Sequence, residues 1–483
     1  MKPRFLDQCE QELLHLSGAI QAHGALIIAS RQGICRHVSE NIQQFAGHPV
    51  EQWLNRPMPA EPVDWLNLLS HHGSRRLVLY KADLVGRTVD IILTRLDNGD
   101  VGIELLPHVP WSKTSHISFL EPAPDSEVEL GQMQQALTDK IAAITGFQRV
   151  MLYSFREDGD GEVIAETVAS DGHYGTYVGL RFPASDIPQI ARKLYLRTPW
   201  RFIADALAAP VPLLGNEESA DLSLVDLRSV SPVHCTYLTN MGVRSSLSFP
   251  VILNGALVAL VACHHRQASV LSPHALEFAA EHVRAYNVAV TRYHACRRIR
   301  LIDGLTQRFA TVKQLLQRNG DLESAWPELA PWLVAEFKVD GACLVLGDRF
   351  VVYGNGFEPD ALGYIDDWFC HDAAELVWQC DSLRWEFPDI PLSQVAGAMA
   401  MRITIQTGSV LRIYLTRLEH IHEVAWGGNP DKPVEYHDGQ LGIAPRRSFE
   451  KWLEKRMGYC RPWENESRLL LHKLRDLLQS FYV

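Results

Sequence analysis

Arg181-Phe182-Pro183-Ala184-Ser185-Asp186-Ile187-Pro188 is the stretch around which the chain is organised. Two prolines bracket a single acid. Each proline fixes its own φ and holds the residue before it in an extended conformation, so the backbone around Asp186 is stiff and expected to be non-helical. A helical pattern follows in Gln189-Ile190-Ala191-Arg192-Lys193-Leu194-Tyr195-Leu196-Arg197. On local grounds, Asp186 or Ser185 caps that helix and Pro188 lies in its first turn.

At 483 residues the chain is too long for one hydrophobic core and implies several domains. Hydrophobic residues make up 47% and charged residues 21%, the composition of an ordinary globular protein. A formal net charge of −11 argues against a general nucleic-acid or anionic-membrane binder. The first residues, Met1-Lys2-Pro3-Arg4-Phe5, lack an apolar signal segment. The most apolar run, Leu247 to Cys263, is interrupted by Pro250, Asn254 and Gly255, so no membrane span is expected. Nine cysteines, an odd number without a C-x-x-C pair, fit a reduced cytoplasm and argue against a disulfide framework or a zinc site.

Outward from the central stretch, the chain reads as three α+β segments. The first has strands at Ala25-Leu26-Ile27-Ile28-Ala29 and Ile34-Cys35-Arg36-His37-Val38, then a short helix near Asn41. It closes with a hairpin turning at Asp97-Asn98-Gly99. The second begins with a helix from Glu127 and strands Phe147–Phe155 and Val163–Ala169. Beyond the central stretch, 204–230 is apolar and turn-rich without clear periodicity. Strands on either side of Asn254-Gly255 form the strongest hairpin signal in the chain. From Pro273 to about Arg318 the pattern stays helical, which predicts a spine or a dimer contact. The third segment has a hairpin at Gly347-Asp348 and strands beginning at Met399 and Val410. A long excursion, 420–463, precedes a final helix carrying Leu470, Leu474, Leu477, Leu478 and Phe481.

The octapeptide 181–188 resembles the signature of the phytochromes, red/far-red photoreceptors that hold a linear tetrapyrrole in a GAF domain. The segment Cys9-Glu10-Gln11-Glu12-Leu13-Leu14-His15-Leu16-Ser17-Gly18-Ala19-Ile20-Gln21-Ala22-His23-Gly24 resembles the N-terminus of the bacterial members. Leu13 and Ala22 stand where that family has prolines. Trp426-Gly427-Gly428-Asn429-Pro430 and Pro445-Arg446-Arg447-Ser448-Phe449 resemble the PHY "tongue". The resemblance covers essentially the whole chain. It implies an α+β photosensory module of three tandem PAS/GAF-like domains with central antiparallel sheets. These are an N-terminal segment and PAS domain (1–115), a GAF domain (116–297), and a PHY domain with output helix (298–483) whose tongue spans about 420–463. It further implies a figure-of-eight knot with Ile20 inside the 204–230 lasso, and a long helical spine.

The same resemblance implies a cofactor, biliverdin IXα, joined by a thioether to Cys9. Family members that use phytobilins carry their cysteine just before the histidine matching His234; here that position is Val233. Cys235, on the other side, is expected to project away if the backbone is extended. Taken alone, Cys9 is a lone thiol near a terminus, and Arg201 and Arg228 are surface charges. By resemblance the arginines grip the propionates, as guanidinium geometry suits. Asp186 sits over the pyrrole nitrogens with Ile187 beside it. His234 contacts the pyrrole-water network, and His264 bonds the D-ring carbonyl. Tyr153, Phe182 and Tyr237 surround that ring, and Tyr195, Ser231, Ser246 and Ser248 line the pocket. On residue type alone each is as readily a packed or surface residue. His264 and His265, adjacent on a strand, face opposite sides and do not form a metal pair.

In the family the tongue switches from hairpin to helix, and serine replaces arginine as partner of the aspartate. The residues expected to carry that switch are Arg446, Ser448, Trp426, Trp452 and Trp463, with Phe449, Trp452, Leu453 and Met457 on one face when helical. One exposed ion pair contributes only about 0–1 kcal/mol. Moving a population from 1:99 to 99:1 takes about 5.5 kcal/mol, so repacking must share the load. The expected activity is reversible photoswitching by isomerisation at C15=C16, in a homodimer that passes the signal to an output domain or response regulator beyond this chain. No hydrolase, kinase or cyclase motif points to an enzyme. The rival reading is a GAF/PAS regulatory module for a cyclic nucleotide or haem, which has no use for Cys9 or the tongue.

Overall fold

Alternation of apolar and polar residues sets the architecture, because a strand sends successive side chains to opposite faces. In a computed structural model, the described residues are 12–71, 73–111, 122–170, 174–215, 219–390, 394–405, 408–430, 434–437, 440–443 and 449–482. The chain divides into two units, Met1–His294 with Ala425–Trp452, and Ala295–Val424 with Leu453–Val483.

The strands in chain order are β1 (Ala19–Ile20), β2 (Ala25–Ala29), β3 (Cys35–Ser39), β4 (Arg76–Leu84), β5 (Arg87–Arg95) and β6 (Val101–Pro107). They continue with β7 (Arg149–Phe155), β8 (Gly161–Val168), β9 (Arg181–Phe182), β10 (Arg201–Ile203), β11 (Val211–Gly215), β12 (Ser245–Leu253) and β13 (Ala256–His265). After these come β14 (Gly341–Leu346), β15 (Arg349–Gly354), β16 (Val377–Cys380), β17 (Val395–Thr404) and β18 (Val410–Leu418). The excursion holds β19 (His422–Gly427), β20 (Val434–His437), β21 (Gln440–Ile443) and β22 (Lys451–Arg456).

The first sheet has the order β1-β11-β3-β2-β6-β5-β4. Strand β2 is apolar throughout because both its faces are covered. Ile27 and Ile91 pack with Trp53 and Trp65 on one side. Leu26, Ile28 and Ile92 pack on the other with Leu222, Leu224, Val225 and Leu227 from the aperiodic loop. That loop lacks periodicity because it serves as a lid over a sheet. Residues 15–21 run between its two arms. Leu213 N–H bonds Gly18 O and Leu222 N–H bonds His15 O; Ser229 N–H bonds Ala19 O, and Gln21 N–H bonds Leu227 O. Ile20 is fully buried between them, as the figure-of-eight arrangement requires.

The second sheet continues β10-β12-β13-β7-β8-β9, and Trp426 of β19 pairs in parallel with Arg181 of β9. One face packs against the helix Glu127–Thr145 and the start of the helix Pro273–Asn319, through Leu137, Ile141, Leu247, Phe249, Val283 and Tyr286. The long helix matches its predicted bounds and ends at Gly320, whose φ of +80° no continuing helix accommodates. In the other unit, the antiparallel sheet β15-β14-β18-β17-β16 packs against the helices Leu322–Phe337 and Asn465–Tyr482 on one face and Pro359–His371 on the other. The helix Leu322–Phe337 escapes a sequence reading because Pro327 and Pro331 lie inside it. Asp321 caps it, accepting from Ser324 N–H at 2.7 Å.

Three local expectations are corrected. Ala184–Asp186 forms one turn of 3-10 helix. Neither Ser185 nor Asp186 caps the next helix, Gln189–Tyr195; Pro188 occupies the N-cap position, with no side-chain bond. Val233 to Cys235 lies in the helix Pro232–Asn240, so the extended-backbone argument for Cys235 fails. Trp452 and Leu453 lie in strand β22, an extended stretch.

Candidate functional site: a cavity on the second sheet

The free face of the second sheet is small and polar where its buried face is large and apolar. On β12, Ser246 and Ser248 alternate with core residues Leu247 and Phe249; on β13, Leu260, Ala262 and His264 alternate with Val261 and Cys263. On β7, Met151 and Tyr153 alternate with Val150 and Leu152. Small side chains here leave room, and the helices Gln189–Tyr195 and Pro232–Asn240 roof it. The result is a cavity of about 470 Å³. Its lining includes Tyr153, Phe182, Asp186, Ile187, Tyr195 and Arg201. Arg228, Ser231, His234, Tyr237, Ser246, Ser248 and His264 complete the predicted set. Every cavity residue singled out from sequence is thus on one wall or another.

The octapeptide is fastened from outside. Asp160 Oδ1 accepts Ala184 N–H at 2.9 Å, and Arg192 donates to Ile187 O and Gly159 O, both at 2.7 Å. Asp186 Oδ2 accepts the Tyr237 hydroxyl at 3.1 Å. The His234 and Tyr237 rings stack at 6.0 Å, one turn apart on their helix. Tyr153 lies over Gly161, where a Cβ would fall 1.9 Å from the ring, and 5.9 Å from Phe182. These rings, with Met151, Val163 and Leu180, make a small apolar core at one end of the cavity. Phe449 and Ala425 of the excursion pack on it.

The other end is cationic. Arg201 donates to the carbonyls of Asp226, Arg228 and Ser229 at 3.0, 2.6 and 3.0 Å. Arg228 donates to Leu14 O at 3.2 Å, while its buried Nε has no hydrogen-bond partner among the described residues. Burial, then repulsion by Arg201, pushes the Arg228 pKa down to about 9. Burial likewise lowers Arg201. Two cations so close, Arg228 buried and Arg201 half-buried, favour an anion at this end of the cavity. Burial pushes His234 down to about 4 and His264 to about 3, with Arg201 acting on the first and Arg149 and His234 on the second. Both imidazoles are neutral near pH 7 and serve as hydrogen-bonding groups.

Among the described thiols, none is placed as a nucleophile in this cavity. Cys263 is in the core, and burial raises its pKa. Cys235 lies outside the lining, and burial raises its pKa as well. Cys9, Arg446 and Ser448 lie outside the described residues. Glu12 and Leu14 reach the cavity wall, and Glu12 Oε2 accepts the Ser231 hydroxyl at 2.8 Å. Trp426 is buried beside β9. Trp452 is exposed, and Trp463 is buried in the core of its own unit, donating to Cys380 O at 3.0 Å beneath the Arg417 guanidinium.

A further cluster escapes the sequence reading. Arg149 Nε lies 2.9 Å from Glu166 Oε1, both buried. Glu166 Oε2 accepts Tyr177 N–H at 2.9 Å, and the Arg149 guanidinium stacks 3.8 Å from the Tyr177 ring. Tyr177 lines the cavity. No motif marks this cluster, since Arg149 and Glu166 meet through the pairing of β7 with β8 and Tyr177 comes from the loop after β8.

Comparison with known proteins gives a consistent picture. Residues 9–105 match the model of a PAS fold, 129–290 that of the GAF domain, and 306–482 that of the phytochrome region, PHY. The chain is 31% identical to a bacteriophytochrome of Pseudomonas aeruginosa, over 99% of this chain and 67% of that one. It is 28% identical to cyanobacterial phytochrome B of Nostoc sp., over 98% of this chain and 66% of that one. It therefore spans about two thirds of the length of these relatives. The photosensory core module of the Stigmatella aurantiaca phytochrome superposes with a TM-score of 0.84 at 30% identity, covering 98% of this chain and 97% of that one. A bacteriophytochrome from R. palustris gives a TM-score of 0.81 at 25% identity, covering 98% and 99%.

Proposed function

The chain belongs to the phytochrome family, with PAS, GAF and PHY regions in the order of a photosensory core, and on that premise we propose that it is a red/far-red photoreceptor holding biliverdin IXα through Cys9. The observation that carries the reading is a pair of arginines, Arg228 buried and Arg201 half-buried, at one end of a cavity whose other end is aromatic, with an Arg228 Nε unpartnered among the described residues. A flat tetrapyrrole with two propionates matches both the apolar walls and the cationic end.

When bound, the pigment supplies light absorption and a double bond, C15=C16, that isomerises. The protein's residues do the rest. Arg201 and Arg228 hold the carboxylates, and Asp186, placed by Tyr237, accepts hydrogen bonds from the pyrrole nitrogens. Neutral His234 keeps the proton inventory at the pyrroles, and neutral His264 donates to or accepts from the D-ring end. Tyr153, Phe182 and Tyr237 leave that ring room to turn while excluding water. Tyr195, Ser231, Ser246, Ser248 and Ile187 complete the slot. Cys9 is three residues from Glu12 in the chain, and three residues span at most about 10 Å. The Cys9 thiol would hold the pigment as a thioether, the chemistry supplied being addition of S–H across a pigment double bond. Trp426 and Phe449 couple the excursion to the aromatic end, with Arg446 and Ser448 as alternative partners of Asp186. Trp452 and Trp463 stabilise its two forms. The helix Pro273–Asn319, with Val288, Ile299 and Ile302 exposed, serves as a homodimer contact, and the output lies in a further domain or a response regulator.

The test is an absorption spectrum after biliverdin is added, before and after red light, with zinc-enhanced pigment fluorescence on a denaturing gel. The expected result is a red band that shifts reversibly and stays with the denatured chain, and a Cys9→Ala protein whose gel band is dark. A wild-type protein that takes up no biliverdin ends the proposal, and a fluorescent Cys9→Ala band ends the assignment of Cys9.

A further inference from the structure

The cationic end of the cavity is held in place by charged residues of a different sheet. Arg201 is oriented by three carbonyls of the lasso segment 226–229. That segment is itself fixed from β4 and β6. Arg76 of β4 grips Asp226 with two bonds, 3.1 Å to Oδ1 and 2.6 Å to Oδ2, and lies 4.8 Å from the Trp200 ring. Glu104 of β6 is fully buried and accepts Leu227 N–H at 2.7 Å; its other oxygen has no hydrogen-bond partner among the described residues. One acid, one ion pair and one backbone segment therefore stand in line behind the arginine clamp. Glu104 is a second carboxyl close to Asp226, bonded to a backbone N–H where Asp226 is bonded to the Arg76 guanidinium.

We infer that Arg76, Glu104 and Asp226 are positioning residues for the propionate clamp, with Glu104 an interior acid whose ionisation weakens the hold of Arg201 on carboxylates. The inference rests on the bilin reading for the identity of the anion. The charged groups that face Glu104 are Asp226 on the lasso, Arg76 on β4 and Arg201 on β10. Burial and the Asp226 charge raise its pKa to about 8, against the pull of Arg76 and of backbone N–H groups. Glu104 is thus mainly protonated at neutral pH. Above that range its ionisation adds a negative charge next to the clamp, and the sign of the effect follows from Coulomb's law: an anionic ligand is held less well. Arg228, at about 9, titrates afterwards and in the same sense.

Two measurements test this. In the apoprotein, an infrared titration should show a buried carboxylic acid band that disappears with a midpoint near pH 8 and is absent from Glu104→Gln. A wild-type protein without that band overturns the inference. With biliverdin, the rate of uptake should fall as the pH rises through this midpoint in the wild type. In Glu104→Gln, which still binds the pigment, that step should be lost and only the later fall due to Arg228 should remain. Identical profiles in the two proteins overturn the coupling. Arg76→Met should slow uptake at neutral pH, and Arg76→Lys should restore part of it; equal rates in all three proteins also count against the positioning role. If the wild type takes up no biliverdin, the bilin reading fails by itself. The inference is then decided by the apoprotein, where the nitrogen-15 shift of the Arg201 guanidinium must follow the Glu104 titration.

Discussion

His234 and His264 are neutral because the protein around them replaces water, although part of His234 is open to the cavity. Their pKa values, about 4 and about 3, are below the ordinary 6.5, as is that of His23 at about 4. The unfolded chain therefore binds more protons than the folded one across the acidic range. Stability is fully present above the ordinary imidazole value and is lost as the pH falls toward the folded values. Each unit of difference corresponds to about 1.4 kcal/mol. The apoprotein should accordingly show a melting temperature that drops on acidification below about pH 6.5. Replacing His264 by Gln should make that acid limb shallower; an unchanged slope would mean that His264 is not held neutral. The neutral state of these imidazoles is not written in their sequence neighbours. It comes from burial and from Arg201 and Arg149, which lie far along the chain.

At the scale of elements, the contact between β19 and β9 depends on a missing side chain. A Cβ at Gly427 would fall 2.5 Å from the ring of Phe182, one of the cavity aromatics. The flat face of the glycine lets the excursion lie against the wall of the cavity. Gly427→Val should overpack this contact at a cost of about 1–3 kcal/mol. Hydrogen exchange at the Trp426 amide reads the result: faster exchange is expected, and equal protection would show that the contact tolerates bulk. Elements also show where local reading fails. Pro188 in the N-cap position supplies no side-chain acceptor, so propensity alone named the wrong cap. The helix Pro232–Asn240 starts at Pro232, a signal for a first helical turn that an extended reading of Val233–Cys235 overlooks.

For the molecule as a whole, the decisive joint is residues 15–21 between the arms of the lasso. Ile20 is buried in a core made by β2, β5 and the loop. Ile20→Ala should lower the stability of the apoprotein by about 2–5 kcal/mol, read as an earlier midpoint in urea. A loss below about 0.5 kcal/mol, typical of surface positions, would contradict this packing. The aperiodic run 204–230 predicts a loop, and only its partners reveal that it covers the back of a sheet.

The amino-acid sequence by itself determined the order of the three segments, the long helix and the hairpins, since these follow from short-range alternation, helical spacing and turn residues. Its motifs also carried the family, and with it the residues of the cavity wall. What the tertiary structure decided is how charges meet. The Arg149–Glu166 pair, the Arg76–Asp226 pair and Glu104 lie on different strands or loops, so no sequence window contains their partners. Their energies depend on burial and on distances of a few ångströms, which strand pairing and chain threading set only once the sheets have assembled.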